Sequence, residues 1–244
     1  MEGIKDRMAS REKECLDFLK AVPENSKYVL IGGYAVTAYG FPRFSVDLDI
    51  VLPKGEQPLF ENMLKERDFK YVKERKEVDD VYSGEFRKYE KKMTLPVSVD
   101  LLINAVKSRQ TDTSYPFEYL LKNSETRTVV GWNPESKTNT RVADREMLIA
   151  LKINSMRLTD QRDIIILCYE KPDVDKITKH LERCPREVIQ KHLELLLGAI
   201  NDPQQVNSLR GAFSLNEKTH QRIIKNAKNT IEEITTIACD EQAH

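Results

Sequence analysis

A chain of 244 residues can hold one large domain or two modest ones, since domains usually run to roughly 100–200 residues. Apolar residues make up 40% of it and charged residues 32%, a balance that is typical of a soluble globular protein and argues against disorder. Basic and acidic residues each number 39, so no net charge draws the chain toward nucleic acid or an anionic membrane.

The N-terminal segment and the cysteines exclude two further classes of protein. Residues 1–20 carry charges where a signal peptide needs an apolar stretch, and no apolar run is long enough to cross a bilayer. The cysteines are scattered, without a Cys-x-x-Cys pair or a histidine at zinc-ligand spacing. We therefore expect a cytoplasmic protein with reduced thiols, no membrane partner and no structural zinc.

The first predicted elements are a helix, a strand and a second helix. Residues 11–21 place apolar side chains at helical spacing and predict an amphipathic lead-in helix. Residues 28–31 are a short β-rich run that stops at Gly32 and Gly33, and a helix is predicted from there to Gly40. The order is strand, tight turn, helix.

A second strand combines apolar and acidic residues. Residues 44–52 alternate, because successive side chains of a strand point to opposite faces. One face is predicted to carry Val46, Leu48 and Ile50, and the other Ser45, Asp47, Asp49 and Val51. The pattern predicts one buried face and one acidic face.

The following segments complete a predicted mixed sheet. Residues 58–67 have a helical pattern, whereas residues 69–72, 81–89 and 97–103 are typical of strands. Residues 111–142 are rich in turn-forming residues, and we expect the strands to end before them.

Helical patterns occupy the rest of the chain, with strand character absent after residue 144. The fold class predicted is therefore α/β (α+β). A mixed-sheet domain, including the lead-in helix, is expected over residues 1–143, and a helical C-terminal domain over residues 144–244.

Gly32 and Gly33 lie where a strand meets a helix, and this arrangement suits an anionic ligand. Glycine lets the backbone approach a ligand closely, and the first amides of a helix are unpaired donors. A nucleoside triphosphate fits such a cradle. An ordinary tight connection is the alternative that the two glycines leave open.

Asp47 and Asp49 project from one face of their strand, close enough to hold a hard cation between them. Mg²⁺, with Mn²⁺ as the alternative ion, commonly takes one or two carboxylates plus substrate phosphates. Asp100 is the only charged residue in residues 97–103. If its strand lies beside the first, three carboxylates surround two metal ions, one on the triphosphate and one activating a hydroxyl. The alternative is a set of acids on an exposed strand face.

Three motifs together resemble the DNA polymerase beta-like nucleotidyltransferase superfamily. They are Gly32-Gly33-Tyr34-Ala35-Val36, Arg43-Phe44-Ser45-Val46-Asp47-Leu48-Asp49 and the later Asp100. The first two are most similar to small prokaryotic members related to the abortive-infection type IV toxin nucleotidyltransferases. The resemblance implies a mixed-sheet nucleotidyltransferase fold, a nucleoside triphosphate donor, Mg²⁺ as cofactor and an antitoxin as partner.

A second set of similar residues lies in the helical part. The relatives have a helix with a lysine, then an arginine, then a basic residue and an aspartate that open a further helix. Lys152, Arg157 and Arg162-Asp163 resemble this pattern. By that resemblance Lys152 would contact the triphosphate as a point charge, and Asp163 would orient it. Ile166 departs from the pattern, because relatives often have a second acid there.

Arg43 and Ser45 precede the acid pair, and both can reach a phosphate or hold a carboxylate through charge-assisted hydrogen bonds. The predicted reaction is metal-dependent transfer of a nucleoside monophosphate from a nucleoside triphosphate to an acceptor hydroxyl or phosphate, with release of pyrophosphate. A toxin–antitoxin or defence context is implied by the resemblance. The acceptor, whether tRNA, protein or small molecule, stays open.

Two alternatives remain beside this interpretation. The first is a non-catalytic nucleotide-binding or protein-interaction module of the same fold. The second is a dinucleotide-dependent oxidoreductase, which also opens with strand, glycines and helix. The Gly-x-Gly-x-x-Gly spacing is missing after the first strand, and this disfavours the oxidoreductase.

Overall fold

A mixed sheet is the main feature of the first part of the chain in the computed structural model, which describes residues 3–79 and 81–240. Contacts divide the chain into two units, the first built from Met1–Lys107 and Ser114–Asp144 and the second from Ser108–Thr113 and Arg145–His244. The strands, in chain order, are β1 (Val29–Ile31), β2 (Asp47–Leu52), β3 (Lys70–Asp79), β4 (Gly84–Lys91), β5 (Val97–Ile103), β6 (Ala105–Lys107), β7 (Ser114–Pro116), β8 (Ser124–Val130) and β9 (Lys137–Ala143).

Seven of the described strands join in one sheet in the order β3-β4-β5-β2-β1-β9-β8. β2 pairs with β5 and β1 pairs with β9 in parallel, whereas the remaining pairs of this sheet are antiparallel. β6 and β7 form a separate two-stranded ribbon. The central strand β2 buries Leu48 and Ile50 completely and leaves Asp47 and Asp49 half-buried, as its alternating sequence predicts. Val46 departs from the predicted pattern: it precedes β2 and is 58% exposed.

Helices cover the sheet of the first unit. They are α1 (Ile4–Ala21), α2 (Gly32–Thr37), α3 (Gln57–Glu66) and α4 (Phe117–Lys122), with a single 3₁₀ turn at Lys54–Glu56. α1 packs against β9 and β5. It buries Cys15, Leu16, Phe18 and Leu19 because residues three and four apart lie on one helix face.

The second unit is helical among its described residues. Its helices are α5 (Arg145–Ser155), α6 (Leu158–Leu167), α7 (Val174–Leu181), α8 (Arg186–Asn201), α9 (Pro203–Phe213) and α10 (Glu217–Asp240). Two of them begin at aspartate caps: Asp173 accepts a hydrogen bond from the amide of Lys176 at 3.0 Å, and Asp202 accepts one from that of Gln204 at 2.9 Å.

The predicted α/β fold class, a mixed sheet followed by helices, is confirmed. The prediction that strands end before residues 111–142 is wrong, because β8 and β9 pair within this segment and extend the sheet. The buried side of β9 includes Thr138 and Thr140, with Thr140 Oγ1 2.6 Å from Tyr28 Oη. Threonine favours strands but adds little apolar signal, and the turn residues between β8 and β9 dominate the local pattern.

We expect Leu48→Ala to lower the free energy of unfolding by about 2–5 kcal/mol, because it leaves a cavity in the centre of the sheet. Val46→Ala is the matched control: Val46 is 58% exposed, so this change should stay within about 0.5 kcal/mol. Urea unfolding of both variants tests whether the buried face of this segment begins at Leu48. Equal losses would contradict it.

Candidate metal and phosphate site

The parallel pairing of β2 with β5 brings three carboxylates together. Asp49 lies directly opposite Asp100, and Asp47 lies opposite Ser98, so these side chains share one face of the sheet. One carboxylate oxygen from each of Asp47, Asp49 and Asp100 lies within 4.8 Å of the others. Three carboxylates at such spacing repel one another unless a cation lies among them. The arrangement fits a divalent metal ion.

We call Asp47, Asp49 and Asp100 the acid cluster. Asp100 is its most deeply buried member. Burial raises its pKa to about 6, helped by Asp47, while Lys88 opposes the shift. Lys88 lies opposite Asp100 on β4, and its Nζ is 3.7 Å from Asp100 Oδ1, beyond hydrogen-bond distance. Within the described residues, Oδ1 is buried without a hydrogen-bond partner. A buried carboxylate oxygen without a hydrogen-bond partner has its lone pairs available to coordinate a metal ion.

Gly32 lies against Asp49, and any residue with a Cβ at position 32 would displace the Asp49 side chain. Its φ of +70° is in the left-handed region, and a Cβ built there would be 1.9 Å from Asp49 Oδ2. This closeness follows from the antiparallel pairing of β1 with β2, which places Ile31 opposite Asp49. The strand that leads into the glycine turn and the strand that carries the acids are therefore adjacent.

Gly33 lies against the segment that precedes β2. A Cβ at Gly33 would be 2.3 Å from Ser45 Oγ and 3.1 Å from Arg43 Nη2. Ser45 is buried, and its carbonyl accepts a hydrogen bond from Tyr34 Oη at 3.5 Å. Arg43 Nη1 donates to the carbonyl of Phe44 at 3.2 Å. The two polar residues that the sequence places before the acids thus pack on the glycine turn.

Lys152 and Asp163 lie in the second unit, where they form a buried ionic network. Lys152 Nζ is 2.7 Å from Asp163 Oδ2 and 3.2 Å from Asp160 Oδ1. Asp160 also accepts hydrogen bonds from Ser155 Oγ at 2.5 Å and from Arg157 Nε at 2.9 Å. Burial alone would raise the pKa of Asp160, but Lys152, Arg157 and Ser155 outweigh it and lower the pKa.

Asp160 belongs to this network although it was not among the site residues predicted from the sequence. Its spacing of three residues from Asp163 places both on one helix face, and this was the available signal. Two roles stay predictions: that Lys152 contacts a triphosphate, and that Asp163 orients that triphosphate.

Comparisons with known proteins find similar solved structures but no similar family model or curated sequence. Among solved structures, JHP933 from Helicobacter pylori is similar at 16% identity and a TM-score of 0.51, over 99% of both chains. An inferred nucleotidyltransferase from H. pylori has 13% identity and a TM-score of 0.45, over 97% of this chain and 98% of its own.

A third similar structure is the STING-associated CdnE c-di-GMP synthase of Capnocytophaga granulosa, at 12% identity and a TM-score of 0.28, over 97% of this chain and 82% of its own. Only the similarity to JHP933 is strong enough to indicate a shared fold, and at that identity it indicates the fold alone. A separate observation concerns membranes: none of the described helices is both long and apolar enough to span one.

The close approach at Gly32 predicts that Gly32→Ala displaces Asp49 and strongly weakens divalent-cation binding, measured by calorimetric titration with Mn²⁺. Gly55→Ala is the control, because a Cβ at Gly55 meets no atom within 4 Å and its φ is not positive. If Gly32→Ala and the control both bind Mn²⁺ with unchanged affinity, the glycine turn does not position Asp49 for metal binding.

The pKa of Asp100 predicts a pH dependence of stability in metal-free buffer. Its folded pKa of about 6 lies above the value of about 3.9 in an unfolded chain, so the native state binds the proton more tightly. The resulting stabilisation is fully present below about pH 4 and is lost as the pH rises through about 6. At most about 3 kcal/mol is involved, from 1.36 kcal/mol per pKa unit.

Asp100→Asn keeps the shape of the side chain and removes the titration, so it is the matched variant for this pH dependence. We expect wild type to lose melting temperature relative to Asp100→Asn between pH 4 and 7, and Mn²⁺ to restore it in wild type. Parallel melting curves across this range would show that Asp100 is not buried as described.

Proposed function

We propose that the protein is a Mg²⁺-dependent nucleotidyltransferase that moves a nucleoside monophosphate from a nucleoside triphosphate to an acceptor hydroxyl or phosphate. The observation that carries this proposal is the acid cluster beside the glycine turn: three carboxylate oxygens lie within 4.8 Å, and Gly32 lies against one of these acids. A hard-cation site next to the amides of a glycine turn is suited to a metal–triphosphate complex.

In the proposed reaction the acceptor oxygen forms a bond to the α-phosphorus, and the bond from that phosphorus to the bridging oxygen of the β-phosphate breaks. Pyrophosphate leaves with the bonding electron pair, and the proton of the acceptor hydroxyl passes to solvent. Mg²⁺, when bound, would supply Lewis-acid stabilisation and lower the pKa of that hydroxyl. Positioning and electrostatics provide most of the rate in phosphoryl transfer, so the residues that fix the geometry matter most.

Each candidate site residue of the first unit has a defined role in this proposal. Asp47, Asp49 and Asp100 would hold the metal ions. The amides at Gly32 and Gly33 would face the triphosphate. Arg43 and Ser45 pack on that turn and would hold it or contact a phosphate through charge-assisted hydrogen bonds.

Lys152 and Asp163 enter the proposal through the motif resemblance. Lys152 Nζ already donates to two carboxylates, and an ammonium has three protons, so one donor remains for a phosphate. The toxin–antitoxin or defence context rests on the motif resemblance alone.

The central test is loss of transfer with retention of fold. We expect Asp47→Ala or Asp49→Ala to abolish label transfer from α-phosphate-labelled nucleoside triphosphates, because the loss of a metal ligand removes several kcal/mol of transition-state stabilisation. Circular dichroism should stay native, since both side chains are half-buried at the surface of the sheet. Wild-type turnover in either variant would refute the assignment.

The same labelled substrates identify the acceptor. Incubation of the protein with Mg²⁺, each labelled triphosphate and a cell extract should label one class of molecule, either RNA, protein or small molecules. Asp49→Ala in parallel is the control for contaminating transferases. Saturable nucleotide binding without label in any fraction would favour a non-catalytic module of the same fold.

A further inference from the structure

A row of charged residues crosses the sheet on the face that bears the acid cluster. Asp49 on β2 lies directly opposite Asp100 on β5, and Asp100 lies opposite Lys88 on β4. Lys88 in turn lies opposite Lys73 on the edge strand β3. Directly opposed residues of neighbouring strands point to the same face, so two acids are followed by two lysines along one line. The charge along this line therefore changes sign between β5 and β4.

Lys88 is the inner of the two lysines and lies beside the acid cluster. Its Nζ is 3.7 Å from Asp100 Oδ1 and 3.7 Å from Glu90 Oε1, and both distances are beyond a hydrogen bond. It donates to Ser98 Oγ at 3.3 Å. Within the described side chains, this bond uses one of the three protons of the ammonium group. The other donors are available to a ligand on this face.

Lys73 is exposed and extends the row to the edge of the sheet. Lysine on an edge strand guards against pairing with another chain, and this role alone would account for Lys73. It does not account for Lys88, because β4 is paired on both sides. Like charges directly opposite each other also destabilise a strand pair. An anion that contacts both ammonium groups would offset this cost.

The lysine pair, as we call Lys88 and Lys73, and the glycine turn lie on opposite sides of the acid cluster. β1 is next to β2 and leads into Gly32, whereas β4 is next to β5. Neighbouring strands lie about 4.8 Å apart, so the three spacings from β1 to β4 amount to roughly 14 Å across the sheet. A single phosphate group at the glycine turn therefore cannot also contact the lysine pair.

The in-line geometry of phosphoryl transfer assigns these two sides to different molecules. The attacking and leaving oxygens lie on opposite sides of the reacting phosphorus. If pyrophosphate leaves on the side of the glycine turn, the acceptor hydroxyl approaches from the side of β5 and β4, where Asp100 and Lys88 lie. The lysine pair then faces the molecule that receives the nucleotide.

We propose that Lys88 and Lys73 bind a phosphate group of the acceptor, so that the acceptor is a phosphate-bearing molecule, either a nucleotide or the hydroxyl end of a nucleic acid strand. An ammonium group binds phosphate as a point charge. A polycationic small molecule would be repelled by the same two charges. This inference rests on the proposed function for the reaction, and on the row of charges for the chemistry of the acceptor.

Direct binding tests the phosphate site without turnover. The probe is a short, fluorescein-labelled oligoribonucleotide of mixed sequence, titrated with the full chain and Mg²⁺ and followed by anisotropy. Lys88→Met and Lys73→Met should each weaken its binding about twofold to fivefold, the effect of losing one partly exposed ion pair. Each should also lower the slope of log affinity against log salt by about 0.7, since one phosphate contact is lost. A purely structural role would leave this slope unchanged.

Lys65→Met is the matched control, because it removes the same charge from the other side of the sheet. Lys65 is exposed on α3. Glu61 of α3 lies 2.8 Å from Arg87, which points away from Lys88 because the two are consecutive in β4. Probe affinity and salt slope should stay at wild-type values in this variant. Equal values in the control and in both variants of the lysine pair would overturn the inference.

Lys73→Met keeps the test decisive if Lys88→Met, which removes a cation beside the acid cluster, does not fold. Lys73 is exposed, so its variant should melt like wild type. The affinity for the nucleoside triphosphate should also stay unchanged in it, because the triphosphate is proposed to lie at the glycine turn. A loss of triphosphate affinity with unchanged probe affinity would place Lys73 on the donor and overturn the inference.

Competition against the labelled probe identifies the source of the phosphate. Displacement by nucleoside monophosphates would support a nucleotide acceptor, and displacement by unlabelled oligoribonucleotides alone would support a nucleic acid. Neutral nucleosides should not compete in either case. Equal competition by nucleosides and their monophosphates, or no binding of any phosphate-bearing molecule to wild type, would overturn the inference.

The two proposals fail in different ways. Probe binding that depends on the lysine pair, in a protein without label transfer, would support a phosphate site on this face and refute the proposed reaction. Label transfer by a protein whose probe binding does not depend on the lysine pair would refute the phosphate site alone.

Discussion

The parallel pairing of β2 with β5 is the constraint on which the candidate site depends. It sets Asp49 opposite Asp100, and a slip of one residue would turn one of them to the opposite face of the sheet. Like charges opposite each other disfavour a strand pair, so the buried apolar residues Leu48 and Ile50 must hold the register against this repulsion. The neighbouring strand β1 then leads directly into Gly32, and its pairing with β2 places the turn beside Asp49. The acid cluster and the glycine turn thus lie side by side because of one strand order.

Charge compensation distinguishes the ionic network around Lys152 from the acid cluster. In the second unit, Lys152 and its two aspartates satisfy one another, and Asp160 is further held by Ser155 and Arg157. In the first unit, Lys88 Nζ lies 3.7 Å from Asp100 Oδ1, beyond hydrogen-bond distance, and burial raises the pKa of Asp100 to about 6. A cluster whose charges balance can serve structure without a ligand. A cluster that stays unbalanced is stabilised by what it binds, and such sites are where function is concentrated.

Local features of the sequence were predictable, and non-local ones only in part. The alternation of β2 and the glycines after β1 are read from neighbouring residues, whereas the position of Asp100 beside Asp49 requires a pairing across the sheet. β8 and β9 were missed because threonines occupy much of the buried face of β9, so the apolar period was weak. The burial of Arg11 could not be predicted from sequence, because a charged residue on an amphipathic helix is normally exposed and only the packing of α1 buries it.

The lead-in helix therefore does more than cover the sheet. Glu12 accepts two hydrogen bonds from the amide of Trp132 and so fixes the turn between β8 and β9. The ring of Trp132 stacks on Phe44, with centroids 5.3 Å apart, and Phe44 immediately precedes Ser45, the residue that packs on Gly33. Glu12 on α1 is thus connected to the glycine turn through Trp132, Phe44 and Ser45.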